Sequence, residues 1–446
     1  MKYLISGMVA LSASLMAADD SIAAWFADGK AYGNIRYYYI ETDKDNGAGT
    51  ISSAHANTLG GRLSYETGEL YGLKMGATFM TTNPFALPNV VDTSIIGKDN
   101  GARGAADPTK GFSVLGEAYV QYTRGAMTLW YGRKKYDTPL IHTKDVRELP
   151  SSVQGGMASV TLGGATLSVG YLDRFKQRTS SDFVNIVEHA LGAETETVTG
   201  HSAGYVAPVS IVYSGHGAKL EAYNYCSPDF MNALYAGAGY THALGESGAM
   251  LEVGAQYINQ QSIGNAADNL ESNTSITGGK TLNSNAVGLK ASLSHHEGSF
   301  FAAYTKVLRS KGDHDSLVLP WDGTPLFTNM ITSNDLFQSL YGSALQADSA
   351  YIGGTQGIKL AYVQGFDFTG VNGFKATVSW AQFSNDRPGY DKEQQDINAV
   401  LGYKRGAFSL ALKGIWVSNN TAASKEGIVS QLDSLIQYRV IANYTF

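Results

Sequence analysis

From residue 29 onward, apolar and polar residues alternate with a period of two in segments of about ten residues, the pattern of strands whose two faces meet different surroundings. The last segment shows it most plainly. Ile436, Tyr438, Val440, Ala442, Tyr444 and Phe446 share one face, while Gln437, Arg439, Asn443 and Thr445 share the other, interrupted by Leu435 and Ile441. Phe408, Leu410, Leu412 and Trp416 alternate in the same way with Ser409 and Lys413. Ile358, Leu360 and Tyr362 flank Lys359, and Leu73, Met75 and Phe79 surround Lys74 and Thr78. The pattern predicts eighteen strands, the first nine at 30–42, 55–66, 70–82, 112–123, 127–136, 155–163, 165–174, 203–214 and 217–225. The other nine fall at 231–242, 248–259, 284–296, 298–308, 352–367, 373–383, 394–404, 407–418 and 435–446.

The connections alternate in length. Short ones fall at 67–69, 124–126, 163–164, 215–216, 243–247, 297, 369–372 and 406. Long polar ones fall at 43–54, 83–111, 137–154, 175–202, 260–283, 309–351, 384–393 and 419–434, and only 227–230 is short within that set. An even number of strands with this alternation points to an all-β fold, a transmembrane antiparallel β-barrel of about 18 strands with short periplasmic turns and long extracellular loops. The expected location is the bacterial outer membrane, with outer-membrane lipid around the wall and both termini periplasmic. In lipid every backbone polar group must be paired within the protein, and a closed barrel achieves that. A Lys or Arg turned to the bilayer midplane would cost roughly 2–4 kcal/mol, so the charged face must look inward. Tyr37, Tyr39, Trp380, Trp416, Tyr444 and Phe446 suit the aromatic girdles at the membrane interfaces. A barrel of this size is expected to enclose an aqueous lumen.

Composition narrows the classes further. Abundant glycine (51) and tyrosine (27) with little proline (10) suit strands and tight turns. Cys226 stands alone, so no internal disulfide is available. Acidic residues outnumber basic ones, 39 to 33, and no basic run is present, which argues against a nucleic-acid partner. No apolar run approaches the roughly 20 residues of a spanning helix. Lys2, the apolar stretch 5–16 and Ala17-Ala18 before Asp19-Asp20 predict a signal peptide over 1–18, cut after either alanine, leaving 19–446 as a single barrel domain.

The inward face carries a skewed charge distribution. Arg36, Arg62, Lys74, Lys359, Lys375, Lys404, Lys413 and Arg439 lie in strands at the two chain ends, which adjoin when a barrel closes. They form a candidate basic track that would attract anionic groups. Glu117, Glu221 and Glu252 are the candidates for an opposing acidic wall, the last two beside Lys219 and Lys290. The plainer alternative is an interior that is simply polar, with solvated lysines at its rim. The segment 137–154 contains Asp137, Lys144, Asp145, Arg147 and Glu148 between Pro139 and Pro150. Its stiffness and charge suit a loop folded into the pore as a constriction; a rigid surface loop is the alternative.

Two stretches carry a family resemblance. Tyr131-Gly132-Arg133-Lys134-Lys135-Tyr136-Asp137-Thr138-Pro139-Leu140, followed by Asp145-x-Arg147-x-Leu149-Pro150, resembles the OprD family of porins. Pro320-Trp321-Asp322-Gly323-Thr324-Pro325, with Ser333-Asn334-Asp335, is a second match. The resemblance implies an 18-stranded, usually monomeric channel with an inward-folded third loop, a basic ladder and acidic residues across the constriction. A trimer is the alternative. It implies passage of small carboxylates or basic amino acids, with Arg36, Arg62, Lys359, Lys375 and Arg439 at ladder positions and Asp145, Arg147 and Glu148 at the constriction.

The expected function is therefore passive, partly selective uptake of a small organic acid or amino acid. Asp313, Asp315, Asp322 and Asp335 are expected near the mouth, where they would meet such a solute first. A non-selective porin is one alternative; a barrel-embedded hydrolase or an adhesin displaying loop 309–351 belongs to another class. None of the nine histidines lies in a nucleophile motif such as G-x-S-x-G. His295 and His296 are adjacent and so point to opposite faces of a strand. Asp43-x-Asp45-Asn46-Gly47 lacks the later glutamate of a calcium loop. Asn273-Thr274-Ser275 is a glycosylation triplet in spelling only. No catalytic residue, metal or cofactor is expected.

Overall fold

The computed structural model describes residues 19–45, 51–85, 111–272, 277–332, 350–387, 390–421 and 434–446. The expected leader at 1–18, the triplet at 273–275, and Ser333, Asn334 and Asp335 lie outside the described residues. The long strands are β1 (Lys30–Asp45), β2 (Ile51–Glu66), β3 (Leu73–Pro84), β4 (Phe112–Arg124), β5 (Met127–Lys134) and β6 (Ser152–Leu162). They continue as β7 (Ala165–Lys176), β8 (Ala207–Gly215), β9 (Ala218–Ser227), β10 (Met231–Leu244), β11 (Ala249–Ser262) and β12 (Asn283–His295). The last six are β13 (Gly298–Val307), β14 (Gln356–Gly365), β15 (Phe374–Arg387), β16 (Tyr390–Arg405), β17 (Phe408–Thr421) and β18 (Ser434–Thr445).

Neighbours in sequence pair antiparallel around the sheet, and β1 closes it on β18 with Asn34 opposite Thr445 and Asp45 opposite Ser434. The seam is sealed at its end by reciprocal bonds between Gly33 and Phe446. A pair Val184–Asn185 adds a short piece to the end of β7. The alternating pattern therefore gives the expected eighteen-stranded closed barrel. Some strands run longer than expected. Asp43 sits in the ladder opposite Ser53 and accepts its hydroxyl proton, so Asp43 and Asp45 of the calcium-like spelling belong to paired strand, while Asn46 and Gly47 lie outside the described residues. Likewise β15 and β16 pair as far as Arg387 and Tyr390, leaving little of the loop expected at 384–393. Helix α1 (Asp19–Ala27) precedes the barrel, with Trp25 Nε1 donating to the Gly68 carbonyl at the β2–β3 turn (2.8 Å).

The outer wall is apolar, with Leu63, Phe79, Leu115, Leu167, Val169, Leu289, Val378 and Ile397 exposed on it. Without lipid these side chains would form an apolar patch far larger than a soluble monomer carries. The interior differs from a plain aqueous lumen. Toward the long-loop end it is filled by three segments, 135–151, 177–206 and 308–355 (of the last, 333–349 lie outside the described residues). Leu140, Ile141, Val153, Phe175, Ile186, Val187, Leu191, Tyr225, Phe230 and Trp321 form one buried cluster there. Ile258, Ala286, Ala381 and Phe383, all inward-facing wall residues, pack with Leu317, Leu326, Met330 and Ile352 in a second. Apolar residues on the inward face thus anchor loops rather than contradict the alternation.

Trp321 ties this filling together. Its indole N–H donates to the Ile186 carbonyl (3.0 Å), its ring meets Phe230 edge-on, and its carbonyl accepts from His142 N (3.0 Å). Gly323 follows because a Cβ there would sit 2.5 Å from Leu140 Cα. Both stretches that carried the family resemblance are therefore in contact with each other. Truncating Trp321 to Ala should cost about 3–5 kcal/mol of local stability. Limited proteolysis should then cut within 308–332 while the barrel keeps its heat-modifiable migration. An unchanged digestion pattern would show that Trp321 is not the anchor.

Candidate functional site

The site lies where the segment 135–151 meets β1 and β2. Period-2 geometry turns Asn34, Arg36, Tyr38, Ile40 and Thr42 of β1 inward, and Thr58, Gly60, Arg62 and Ser64 of β2 with them. Arg36 Nη1 donates to Asp145 Oδ1 (2.6 Å) and to the carbonyls of Arg147 (2.5 Å) and Glu148 (3.2 Å). Its Nε donates to Asn443 Oδ1 (2.7 Å). Arg62 Nη1 reaches the other oxygen of Asp145 (3.1 Å), and its Nε donates to Asn34 Oδ1 (3.0 Å). Tyr38 donates its hydroxyl proton to the Val146 carbonyl (3.0 Å). The loop is thus held against the inward faces of β1 and β2. Its tip at Asp145 and Val146 remains exposed to the lumen.

Charges behind the tip are enclosed. Arg147 is buried, and Glu148 accepts from Thr58 Oγ1 (3.0 Å) with its carboxylate against Gly60. Burial pushes the Glu148 carboxyl up to about 7, helped by the neighbouring Asp145 charge and opposed by Arg36, Thr58 and Arg62. For Asp145 burial also favours the neutral form, but Arg36 and Arg62 win and hold its carboxyl below the ordinary range. Asp137 works within the loop, accepting from Thr143 N (2.8 Å) and Thr143 Oγ1 (2.6 Å). Lys144 stands in a left-handed backbone conformation (φ 43°) and lies in the field of Asp322.

Of the expected basic track, Arg36, Arg62, Lys413 and Arg439 come together. Lys413 and Arg439 are cross-strand partners, and Lys413 lies in the field of Arg36, Arg147 and Arg439. Arg439 is 1% exposed, packed behind the loop with Nε donating to Gln437 Oε1 (2.6 Å). It lies behind the loop rather than on the lumen surface. Lys359 donates to the Asn329 carbonyl beneath the 308–355 segment (2.7 Å). Lys375 lies near the short-turn rim and is exposed, as is Lys404. Lys74 lies on the short-turn side of Arg62.

The expected acidic wall divides. Glu221 and Glu252 are each paired, with Lys219 (3.0 Å) and Lys290 (2.5 Å). Glu117 stands on β4, beside the basic strands rather than across from them, accepting from Thr78 Oγ1 and Lys135 N (both 3.0 Å). A bulge that skips Gly116 keeps both it and Val114 turned inward. The loop acids are also engaged. Asp315 is fully buried and bound by Arg309 Nε (2.9 Å), and Asp313 accepts from Ser310 Oγ (2.5 Å) and Asn283 Nδ2 (3.0 Å). Asp322 accepts from Ser151 Oγ (2.5 Å) and pairs with Arg178. Burial would raise its carboxyl, yet Arg178, Lys144 and Ser151 hold it at about 2. Asp335 lies outside the described residues.

Tyr38, Asn34, Thr58 and Asn443 had not been singled out as site residues. Each shares strand parity with a basic residue, Tyr38 with Arg36 and Asn443 with Arg439, and that parity was the available signal. His295 Nε2–H donates to the Ser247 carbonyl (3.0 Å). Its ring meets that of His296 edge-on, 4.0 Å between centroids, rather than facing the opposite side as expected, because His296 takes a left-handed turn conformation (φ 50°). Among the described residues no group of three or more His, Cys, Asp or Glu could hold a metal.

The profile of one protein family, described as outer membrane porin, OprD family, matches residues 23–446. No curated protein matches the chain. The chain is similar to the crystal structure of Pseudomonas aeruginosa OpdK with vanillate (TM-score 0.70, 17% identity, 95% of this chain and 99% of that chain). P. aeruginosa OccK9 (OpdG) gives TM-score 0.71 and 17% identity over 95% and 99% of the two chains. P. aeruginosa OpdL gives TM-score 0.70 and 18% identity over 94% and 99%.

Two outcomes follow from the loop geometry. Deleting residues 143–148 should raise single-channel conductance in a folded variant; unchanged conductance would place the narrowest point elsewhere. Because the Glu148 carboxyl sits near 7, raising the pH from 6 to 8 adds negative charge behind the tip. Anion preference, read as a zero-current potential in a salt gradient, should fall over that range and become flat in Glu148→Gln. A slope that survives in the variant would assign the titration to another group.

Proposed function

The chain belongs to the OprD family of outer membrane porins, and from that membership we propose a passive channel whose constriction favours solutes bearing a carboxylate. Porins of this family are channels rather than enzymes, and the barrel is that of a bacterial outer membrane protein. In the proposed orientation both termini and the short turns face the periplasm, as in other outer-membrane barrels.

One observation carries the substrate reading. Arg36 and Arg62 flank Asp145 and Glu148, with Arg147, Lys413 and Arg439 grouped around Tyr38 behind them, and burial favours the neutral form of Glu148. Among the described residues the excess there is positive, and charges act across a Debye length of about 8 Å at physiological salt. Of the loop acids expected to meet a solute first, the three among the described residues, Asp313, Asp315 and Asp322, are tied up by Arg178, Arg309 and loop hydroxyls. That weakens any claim of a second, ammonium-binding wall and favours small organic acids over basic amino acids. The relative OpdK, solved with vanillate, supports the same class. The channel is taken as monomeric in this proposal, with a trimer as the alternative.

Arg62 is the residue to test, because its side chain is 17% exposed beside Asp145 whereas Arg439 is enclosed. In liposome swelling Arg62→Gln should slow benzoate entry about fivefold, the effect of roughly 1 kcal/mol. Entry of a neutral sugar of similar size should hold. Equal slowing of both would mark a change of pore shape, and the channel would then be a non-selective porin.

A further inference from the structure

On the short-turn side of the constriction, the wall of β1 to β5 encloses a cavity of about 260 Å³. Register fixes its level. Arg62 faces Asn34 and Met80 across its ladders, whereas the cavity lies further along, at the pairs Ser64–Thr78, Glu66–Gly76 and Lys74–Gln121. It therefore lies on the wall past the tip of the constriction loop, next to it through Lys135, which lies in the field of Asp145. Gly76 makes room for it, since a Cβ there would lie 2.5 Å from the Tyr119 ring.

The two carboxylates of the cavity are already engaged by the wall. Glu66 Oε1 accepts from the phenols of Tyr119 (2.6 Å) and Tyr32 (3.2 Å). Glu117 accepts from Thr78 and Lys135 N, with Lys135 Nζ only loosely placed at 3.9 Å. Lys134 Nζ donates to Gln121 Oε1 (2.8 Å) and lies 4.2 Å above the Tyr119 ring. Lys74 makes no hydrogen bond or ion pair among the described residues, though it lies in the fields of Glu66 and Lys134. Three ammonium groups thus line a cavity with two carboxylates, both committed to wall donors. An ammonium guest would meet three lysines, while an anionic guest would find unspent N–H donors on Lys74 and Lys135.

We propose that this cavity is a holding site for a small organic monocarboxylate that has passed the constriction, with Lys74 as the group that receives it. Its volume suits a molecule of the size of benzoate, and Tyr32 and Tyr119 supply aromatic wall on which such a ring can rest. A solute held here would leave toward the short turns, so the site governs release rather than entry. This reading rests on the proposal that the channel carries carboxylates, but it is tested at a different residue and from a different side.

The test uses the full-length protein in planar bilayers, with benzoate added to one side and the long-loop side identified by protease. From the short-turn side, wild type should show current blockages, and Lys74→Gln should raise the half-blocking benzoate concentration about fivefold. Lys74→Arg should restore it to within about twofold by returning the charge. Benzamide should not block. From the long-loop side, Lys74→Gln should change the half-blocking concentration far less. The proposal is overturned if Lys74→Gln matches wild type from the short-turn side, or if it weakens block equally from both sides, which would mark a pore-wide loss of potential. Lys74→Met, which keeps the aliphatic stem, takes the place of the glutamine variant should that fail to fold. Failure of the constriction reading looks different: Arg62→Gln would leave benzoate uptake unchanged, whatever the Lys74 variants do.

Discussion

Hydrocarbon offers the backbone no hydrogen-bond partner, and that shortage shapes the molecule from its ends inward. An open sheet would leave two unpaired edges in lipid, so β1 must find β18. Closure then brings together residues that the sequence holds far apart. Arg36 and Arg62 come from the first strands, Lys413 and Arg439 from the last, and only the seam makes them neighbours. Such a gathering of cations repels itself, and in isolation would oppose closure. It persists because each guanidinium in it is hydrogen-bonded: Arg36 to Asp145, Asn443 and two carbonyls, and Arg439 to Gln437 and Tyr38.

The inward loop is part of that solution rather than an addition to it. Asp145 supplies the negative charge that two arginines share, the carbonyls of Arg147 and Glu148 accept from Arg36, and that of Val146 accepts from the Tyr38 hydroxyl. The far side of the same loop packs on Trp321 and Gly323, so one element is both counter-charge and wall. Lys176, fully enclosed at the end of β7, adds a third fixation by donating to the Pro150 carbonyl (3.1 Å). A constriction clamped at both ends keeps its charges in register, and selectivity at short range depends on that fixity.

Most of the fold was legible because lipid imposes a strict period of two, and a strand cannot slip by one residue without turning its charges outward. The same rule located Arg36, Arg62, Lys413 and Arg439 on one face. It could not say which of them would be covered, since that depends on where a loop lands. Arg439 and Arg147 look alike in sequence to Arg62, yet only Arg62 borders the lumen. The inward apolar residues were visible as breaks in the pattern, Leu435 and Ile441 among them, and their partners were not. The acids of the 308–355 loop misled for a related reason. A charge count treats Asp315 and Asp322 as exposed, whereas both are buried and paired. Sequence gives the sign of a charge, and folding decides whether a solute can feel it.

The proposed selectivity for carboxylates turns on one sign, a positive constriction. The zero-current potential of the wild-type channel across a potassium chloride gradient at pH 7 measures that sign directly. The arrangement of Arg36 and Arg62 around Asp145, with Lys413 and Arg147 beside Arg36, calls for a potential of the polarity set by chloride crossing faster than potassium. A potential of the opposite polarity, from an intact single channel, would contradict it.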